Sequence, residues 1–426
     1  MSILLTAWLV WTFVLAGPAD AAGAVPLPVL WAGLYGPVLP LFVFWLLWAV
    51  QSERGAGVGY STAGVILGYV CLLLINAVVS NAALPAVGLA LRDALRNLVL
   101  LFPLIAWNSG WGRPRALLEY AAYWVALQPA VVFGQFVLVS SWRPADTNGG
   151  TLGAAGTGEL MAIVVCAIAV LAALWHVGYR RRFVTLFALW LTPIIPLAGA
   201  FAGFLLLPFG VILGVAGIGL RHWLARLTVV SAMCVGLLVW VLTSGAFARA
   251  IDKTGSYGAA LLWSIEALSS PAVDSVGSPG RLYALNELWQ SLRSDGRLLI
   301  GRGLGSTSMP FSERVSFRAE ARSPVVFATS LTRTLAETGV IGVVSYLALV
   351  LTLWLEVRRR RRWLTEPLWR GLYSGYTVCV VLHVVLGAYQ TSWGNTWSSF
   401  VPFLLTAILL GRARAVHARE VEEVGG

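Results

Sequence analysis

Apolar residues run down this chain in long continuous blocks, and polar residues collect between them. LPLFVFWLLWAV (39–50) and LARLTVVSAMCVGLLVWVLTSGAF (224–247) are typical blocks, and neither alternates with period two. At 1.5 Å per residue such blocks reach across a hydrocarbon core, where the backbone must satisfy its own hydrogen bonds, so they predict membrane helices. The fold class expected is an all-α polytopic membrane protein of about twelve spans. They fall near 3–16, 28–50, 61–79, 94–107, 117–140, 158–178, 183–195, 198–220, 225–247, 335–356, 371–388 and 396–411. The first block lacks Lys or Arg before its apolar stretch and a second span follows at once, so it reads as a retained helix and not a signal peptide. Pro193, Pro196 and Pro208 mark 183–220 as a place for broken or re-entrant helices.

One segment departs from this pattern. Residues 249–324 form the long polar stretch, and the chain divides into 1–248 with nine spans, the 249–324 extracytoplasmic loop, 325–412 with three spans, and a 413–426 cytoplasmic tail read as a solvated stub. Within the loop, 278–296 predicts an amphipathic helix. Ser278 caps it, Pro279 fits its first turn and Gly296 its exit, and Leu285, Leu288, Trp289 and Leu292 form its apolar stripe.

Composition agrees: 58% of residues are hydrophobic and 12% charged. A net charge of +11 invites a nucleic-acid partner, but the basic residues gather at helix ends, where they set orientation. With both termini cytoplasmic, Arg54, Arg113, Arg115, Arg180 to Arg182, Arg221, Arg226, Arg358 to Arg362, Arg370, Arg412, Arg414 and Arg419 fall inside, and only Arg92 and Arg143 occupy short outside loops. Cys71, Cys166, Cys234 and Cys379 lie inside apolar runs, which leaves no extracytoplasmic disulfide and no thiolate metal cluster to expect.

The candidate chemistry is concentrated after the amphipathic helix. Gly301, Gly303 and Gly305 surround Arg302, with Arg281, Arg293 and Arg297 just before. Such a run either turns backbone N–H groups inward around a phosphate or pyrophosphate, with guanidinium forks beside them, or is a flexible turn with solvated arginines. Arg314, Arg318 and Arg322 make one basic helical face, suited to substrate or to anionic headgroups. Ser330, Arg333 and Glu337 share a face entering the tenth span. Arg333 and Glu337 form a helix ion pair, or Glu337 assists an acceptor hydroxyl as base while Arg333 holds a phosphate. The loop contains no histidine; His176, His222 and His417 lie on the cytoplasmic side and His383 within the eleventh span.

GRGLGS after an amphipathic helix, followed by SLTRTLAETGVIGVVSYLALV entering a span, resembles the O-antigen ligase and polymerase superfamily, as does 133–164 as an earlier external loop. The resemblance implies metal-independent glycosyl transfer from an undecaprenyl-pyrophosphate-linked oligosaccharide, outside a bacterial inner membrane, without cofactor. It implies membrane lipids and other polysaccharide export proteins as neighbours and no nucleic acid. By position, Glu337, Arg281 and Arg302 are its catalytic candidates, with Arg293, Arg297, Gly303, Gly305, Arg333 and Arg318 binding substrate and no metal ligand. Ligases carry a His-Asn pair where this chain has Ala328 and Thr329, and 196–208 lacks the arginine many members carry. These departures point toward polymerisation of repeat units, with ligase-type transfer, a transporter, or a non-catalytic subunit of an export complex as alternatives.

Overall fold

The computed structural model describes residues 58–80, 84–106, 115–138, 149–152, 157–197, 207, 210–211, 281–307, 329–389, 393 and 397–425. These residues are all-helical: α1 Tyr60–Val78, α2 Leu84–Ala106, α3 Ala116–Leu138, α4 Thr157–His176, α5 Arg181–Leu191, α6 Ile194–Leu197, α7 Arg281–Ser294, α8 Ser330–Arg359, α9 Pro367–Tyr389 and α10 Trp397–Gly425. Short 3₁₀ turns cover Gly150–Leu152 and Arg361–Trp363. Six stretches, in α1, α3, α4, α8, α9 and α10, are long and apolar enough to cross a membrane. The chain is a membrane protein.

Those six match the spans expected near 61–79, 117–140, 158–178, 335–356, 371–388 and 396–411. Expected spans at 3–16, 28–50 and 225–247 lie outside the described residues, as does most of 198–220. Two others differ. The helix expected over 94–107 begins ten residues earlier, at Leu84, and takes Arg92 and Asp93 into its body beside Arg96. Arg92 therefore belongs to α2 and not to an outside loop. The region 183–195 is broken as its prolines suggest: α5 stops at Leu191, Thr192 and Pro193 turn, and α6 adds one short turn.

α1 shows why an uncharged helix is stable here. Thr62, Ile66, Tyr69, Leu73 and Asn76 recur every three or four residues and are buried. Leu67, Leu74, Ile75 and Val78 point outward as exposed apolar side chains, the composition of a lipid-facing surface. α8 packs on α1, α10 on α2, and α9 chiefly on α4. The last contact depends on Gly371 and Gly375: a Cβ on Gly375 would lie 2.6 Å from the Val170 Cα, so only glycine admits this approach. Cys379, one turn further, directs its thiol to the Cys166 carbonyl at 3.7 Å.

Basic residues cluster at one end of the bundle. There Glu356, buried near the end of α8, accepts hydrogen bonds from the Gly59 N–H (3.0 Å) and the Thr62 hydroxyl (2.9 Å), which caps the start of α1. It also pairs with Arg360 at 2.6 Å. Glu366 bridges Arg115 and Arg412 nearby. The residues after 412, expected as a stub, continue α10 because no proline and no glycine before Gly425 interrupts them, and Trp363 donates to Glu420. α3 offers a second docking face, where Gln128 and Gln135, two turns apart, hydrogen-bond the backbone of Thr151 and Gly150.

Candidate functional site

α8 is two helices joined by a break at Gly339, where φ is 67° and ψ is −167°. Its start is secured by Thr329 and Thr332, whose side chains each accept the other's backbone N–H at 3.0 Å. A break inside a span strands the N–H groups of Val340 and Ile341 and the carbonyls of Ala336 and Glu337, which would otherwise pair with one another. The glycine-rich segment replaces both bonds. Val340 N–H donates to the Leu298 carbonyl (3.0 Å) and Ile341 N–H to that of Leu299 (3.1 Å). Arg302 N–H donates to Ala336 (2.7 Å) and Gly303 N–H to Glu337 (3.0 Å).

The glycines exist for this approach. Gly301 and Gly303 have φ of 71° and 102°. A Cβ on Gly301 would lie 2.6 Å from backbone atoms of Glu337 and Gly339, one on Gly303 2.8 Å from Ser80, and one on Gly305 2.7 Å from the Val87 nitrogen at the start of α2. Asn76 fastens the segment from α1, donating to the Ile300 carbonyl at 2.9 Å. The N–H groups of Gly301, Arg302 and Gly303 are thus engaged by protein carbonyls, Gly301 with Arg297 at 2.7 Å. Here the sequence left two readings, an anion cradle or a flexible turn; the segment is a docked, hydrogen-bonded splice, and these three N–H groups face carbonyls instead of an anion.

Glu337 lies at the splice, 6% exposed. Thr307, at the end of the glycine-rich segment, donates its hydroxyl to one Glu337 oxygen, and Arg333, one turn earlier, brings Nε to 3.8 Å from the same oxygen. Arg333 also reaches across to α2, with Nη2 at 3.3 Å from Asp93 Oδ2. The other Asp93 oxygen accepts from Arg92 Nε (2.9 Å) and Nη2 (2.6 Å). Four ionisable groups on two helices therefore form one chain: Arg92, Asp93, Arg333, Glu337. Elsewhere on α8 Tyr346 hydrogen-bonds His383 at 2.8 Å, and Ser330 accepts the Trp393 N–H at 2.7 Å, joining α8 to α9 and the segment before α10. Arg333 and Glu337 lie in a helix long and apolar enough to span, where charged groups are energetically expensive and mark function more often than packing.

No protein-family model matches the chain, and no curated protein matches it. The site must be read from its geometry.

Of the sequence candidates, Glu337 and Arg333 come together in the buried chain. Arg302 does not join them through its side chain: its guanidinium turns to α7, at 2.7 Å from Ser291 Oγ and 3.3 Å from Asp295. Arg281 starts α7, and Arg293 and Arg297 stand exposed around its exit. That exit matches expectation. Gly296 has φ of 67°, Arg297 N–H donates to Leu292 (2.8 Å) and Gly296 N–H to Arg293 (3.2 Å), the two bonds of a Schellman turn. Ala284, Leu288 and Leu292 are the buried stripe of α7, while Trp289 remains partly open. Ser278, Pro279, Arg314, Arg318 and Arg322 lie outside the described residues.

Sequence reasoning missed Asp93, Thr307 and Asn76. A signal for Asp93 existed. Ala86, Ala90, Asp93, Asn97, Leu100 and Leu104 fall on one helical face, and all are buried. Starting the span at 94, after Asp93, hid that periodicity.

Proposed function

We propose that the chain transfers glycosyl units between lipid-linked substrates at the outer side of the membrane, as a polysaccharide polymerase does. The observation that carries this reading is the Glu337 carboxylate, buried at the break of a membrane helix beside the Arg333 guanidinium. In the reaction, Glu337 accepts the proton of an acceptor hydroxyl as its oxygen bonds the anomeric carbon of the donor sugar. The bond from that carbon to the pyrophosphate breaks, and the lipid pyrophosphate leaves with the electron pair. Its developing charge meets Arg333. Arg302, engaged by Ser291 and Asp295, braces α7 in this reading, while Arg281, Arg293 and Arg297 present positive charge to the same anionic lipid from the surface.

Orientation supports it. Glu337 and Glu356 are separated by nineteen residues of α8, about 28 Å at the helical rise and close to a hydrocarbon thickness of about 30 Å. The basic end around Glu356, with Arg358 to Arg362, suits the cytoplasm, which leaves Glu337 outside. About twelve spans with cytoplasmic termini in a bacterial inner membrane accord with this arrangement.

A second reading is a transporter of the same lipid-linked material. The broken α8 favours it, since discontinuous helices with buried ionisable groups also serve substrate passage. The experiment is a gel of surface polysaccharide from a deletion strain complemented with the wild-type chain or Glu337→Gln. Loss of the long-chain ladder in Glu337→Gln, with single repeats present outside, is expected of a polymerase. Lipid-linked repeats trapped inside would favour transport, and an unchanged ladder would defeat both.

A further inference from the structure

Arg333 is held between two carboxylates on different helices, and the two do not hold it equally. Asp93 on α2 engages Nη2 at 3.3 Å, whereas Glu337 stands 3.8 Å from Nε. A pair one turn apart on a helix is a weak constraint on a long side chain. A carboxylate from a neighbouring helix is a stronger one, provided it is itself fixed. Asp93 is: its side chain is 6% exposed, and its other oxygen takes both Arg92 Nε and Nη2. α2 is pinned one turn further along, where Asn97 donates to Ser399 at 2.7 Å.

We propose that Asp93 is a positioning residue of this site, drawing the Arg333 guanidinium off Glu337 so that it faces a phosphate-type oxyanion while the Glu337 carboxylate keeps its own place. The proposal rests on the reading of Arg333 as the group that meets the leaving pyrophosphate. Without the Asp93 charge, Glu337 is the carboxylate left beside Arg333 in this chain of groups. The guanidinium then closes on it, and the arginine and the base neutralise each other. Arg92 acts one step behind, by keeping Asp93 aimed at Arg333.

The test uses the full-length chain in detergent with inorganic pyrophosphate as probe, titrated calorimetrically, alongside transfer assays on lipid-linked repeat units. Asp93→Asn is expected to weaken pyrophosphate about tenfold, a coupling ordinary for residues that share a partner. Asp93→Glu should recover most of it, and Asp93→Asn should add nothing in an Arg333→Gln background. A merely structural aspartate would weaken binding equally in both backgrounds, and that outcome overturns the proposal, as does a wild-type chain indifferent to pyrophosphate. If Asp93→Asn fails to fold, Arg92→Gln replaces it, with a smaller loss expected that again vanishes in Arg333→Gln; full additivity is again fatal. Wild-type transfer without pyrophosphate binding would sink this proposal and leave the transferase reading standing. Coupled pyrophosphate binding without transfer would do the reverse.

Discussion

Gly301→Ala tests whether the glycine-rich segment is a structural splice. Two costs add at this position. An L-residue at φ of 71° is strained by about 1–2 kcal/mol. The new Cβ also meets Glu337 and Gly339 backbone atoms at 2.6 Å, and backbone cannot rotate away, so overpacking adds about 1–3 kcal/mol. The expected loss is about 2–5 kcal/mol. Escape by lifting the segment is no cheaper: it breaks four backbone bonds, each left unmade costing about 1–3 kcal/mol away from water. Gly296→Ala is the matched control. Its φ is 67°, but nothing lies within 4 Å of its Cβ, so only the strain of about 1–2 kcal/mol applies. Both variants are compared by SDS-induced unfolding of the purified chain in mixed micelles, followed by tryptophan fluorescence. Equal losses, or a larger one at Gly296, would refute the splice.

Three further outcomes follow from the same contacts. Thr307→Val keeps the shape but removes the hydroxyl bonded to Glu337. A hydrogen bond to a charged group contributes about 1.5–3 kcal/mol to stability, so the unfolding midpoint should fall to match. On the proposed reading glycosyl transfer should fall with it; an unmoved midpoint would mean that this bond is not made. Glu356→Ala removes the acceptor of the Gly59 N–H and the Thr62 hydroxyl, and one partner of Arg360, at the opposite end. It should destabilise by about 3–5 kcal/mol, and conditions that restore folding should restore transfer. Gly375→Leu drives a side chain into Val170 and should abolish a monodisperse peak on size exclusion; a normal profile would mean that α4 and α9 do not meet as described.

Local pattern revealed the helices and only part of the site. α4 and the apolar part of α8 were legible because long apolar runs have few alternatives in lipid, and Thr157–His176 nearly coincides with the span read at 158–178, whereas the break at Gly339 was not. Glu337 and Arg333 were legible as a pair one turn apart. α2 was misjudged because a rule that keeps charge out of spans is a rule about lipid, and Asp93 faces Arg333 instead. The glycines announced positive φ, but their cause lies 36 residues on, at the Glu337 carbonyl, and spacing alone cannot separate a backbone neighbour from an anion. Asn76 and Thr307 carried no local signal, since their partners are a distant carbonyl and a distant carboxylate.

An unbroken α8 would need no partner for its backbone. The chain instead carries a glycine at the break, three more glycines in the segment that mends it, and Asn76 to hold that segment, none of which serves a plain membrane anchor. What the break achieves is connection. Ser291 and Asp295 grip Arg302, the Arg302 and Gly303 N–H groups grip Ala336 and Glu337, and the same segment ends at Thr307 on the Glu337 carboxylate. α7 is therefore tied to Glu337 by this run of hydrogen bonds as well as by the packing of Leu288 and Leu292 on Leu335 and Ala336. The break in α8 thereby joins α7, the glycine-rich segment and the Glu337 carboxylate into one connected unit.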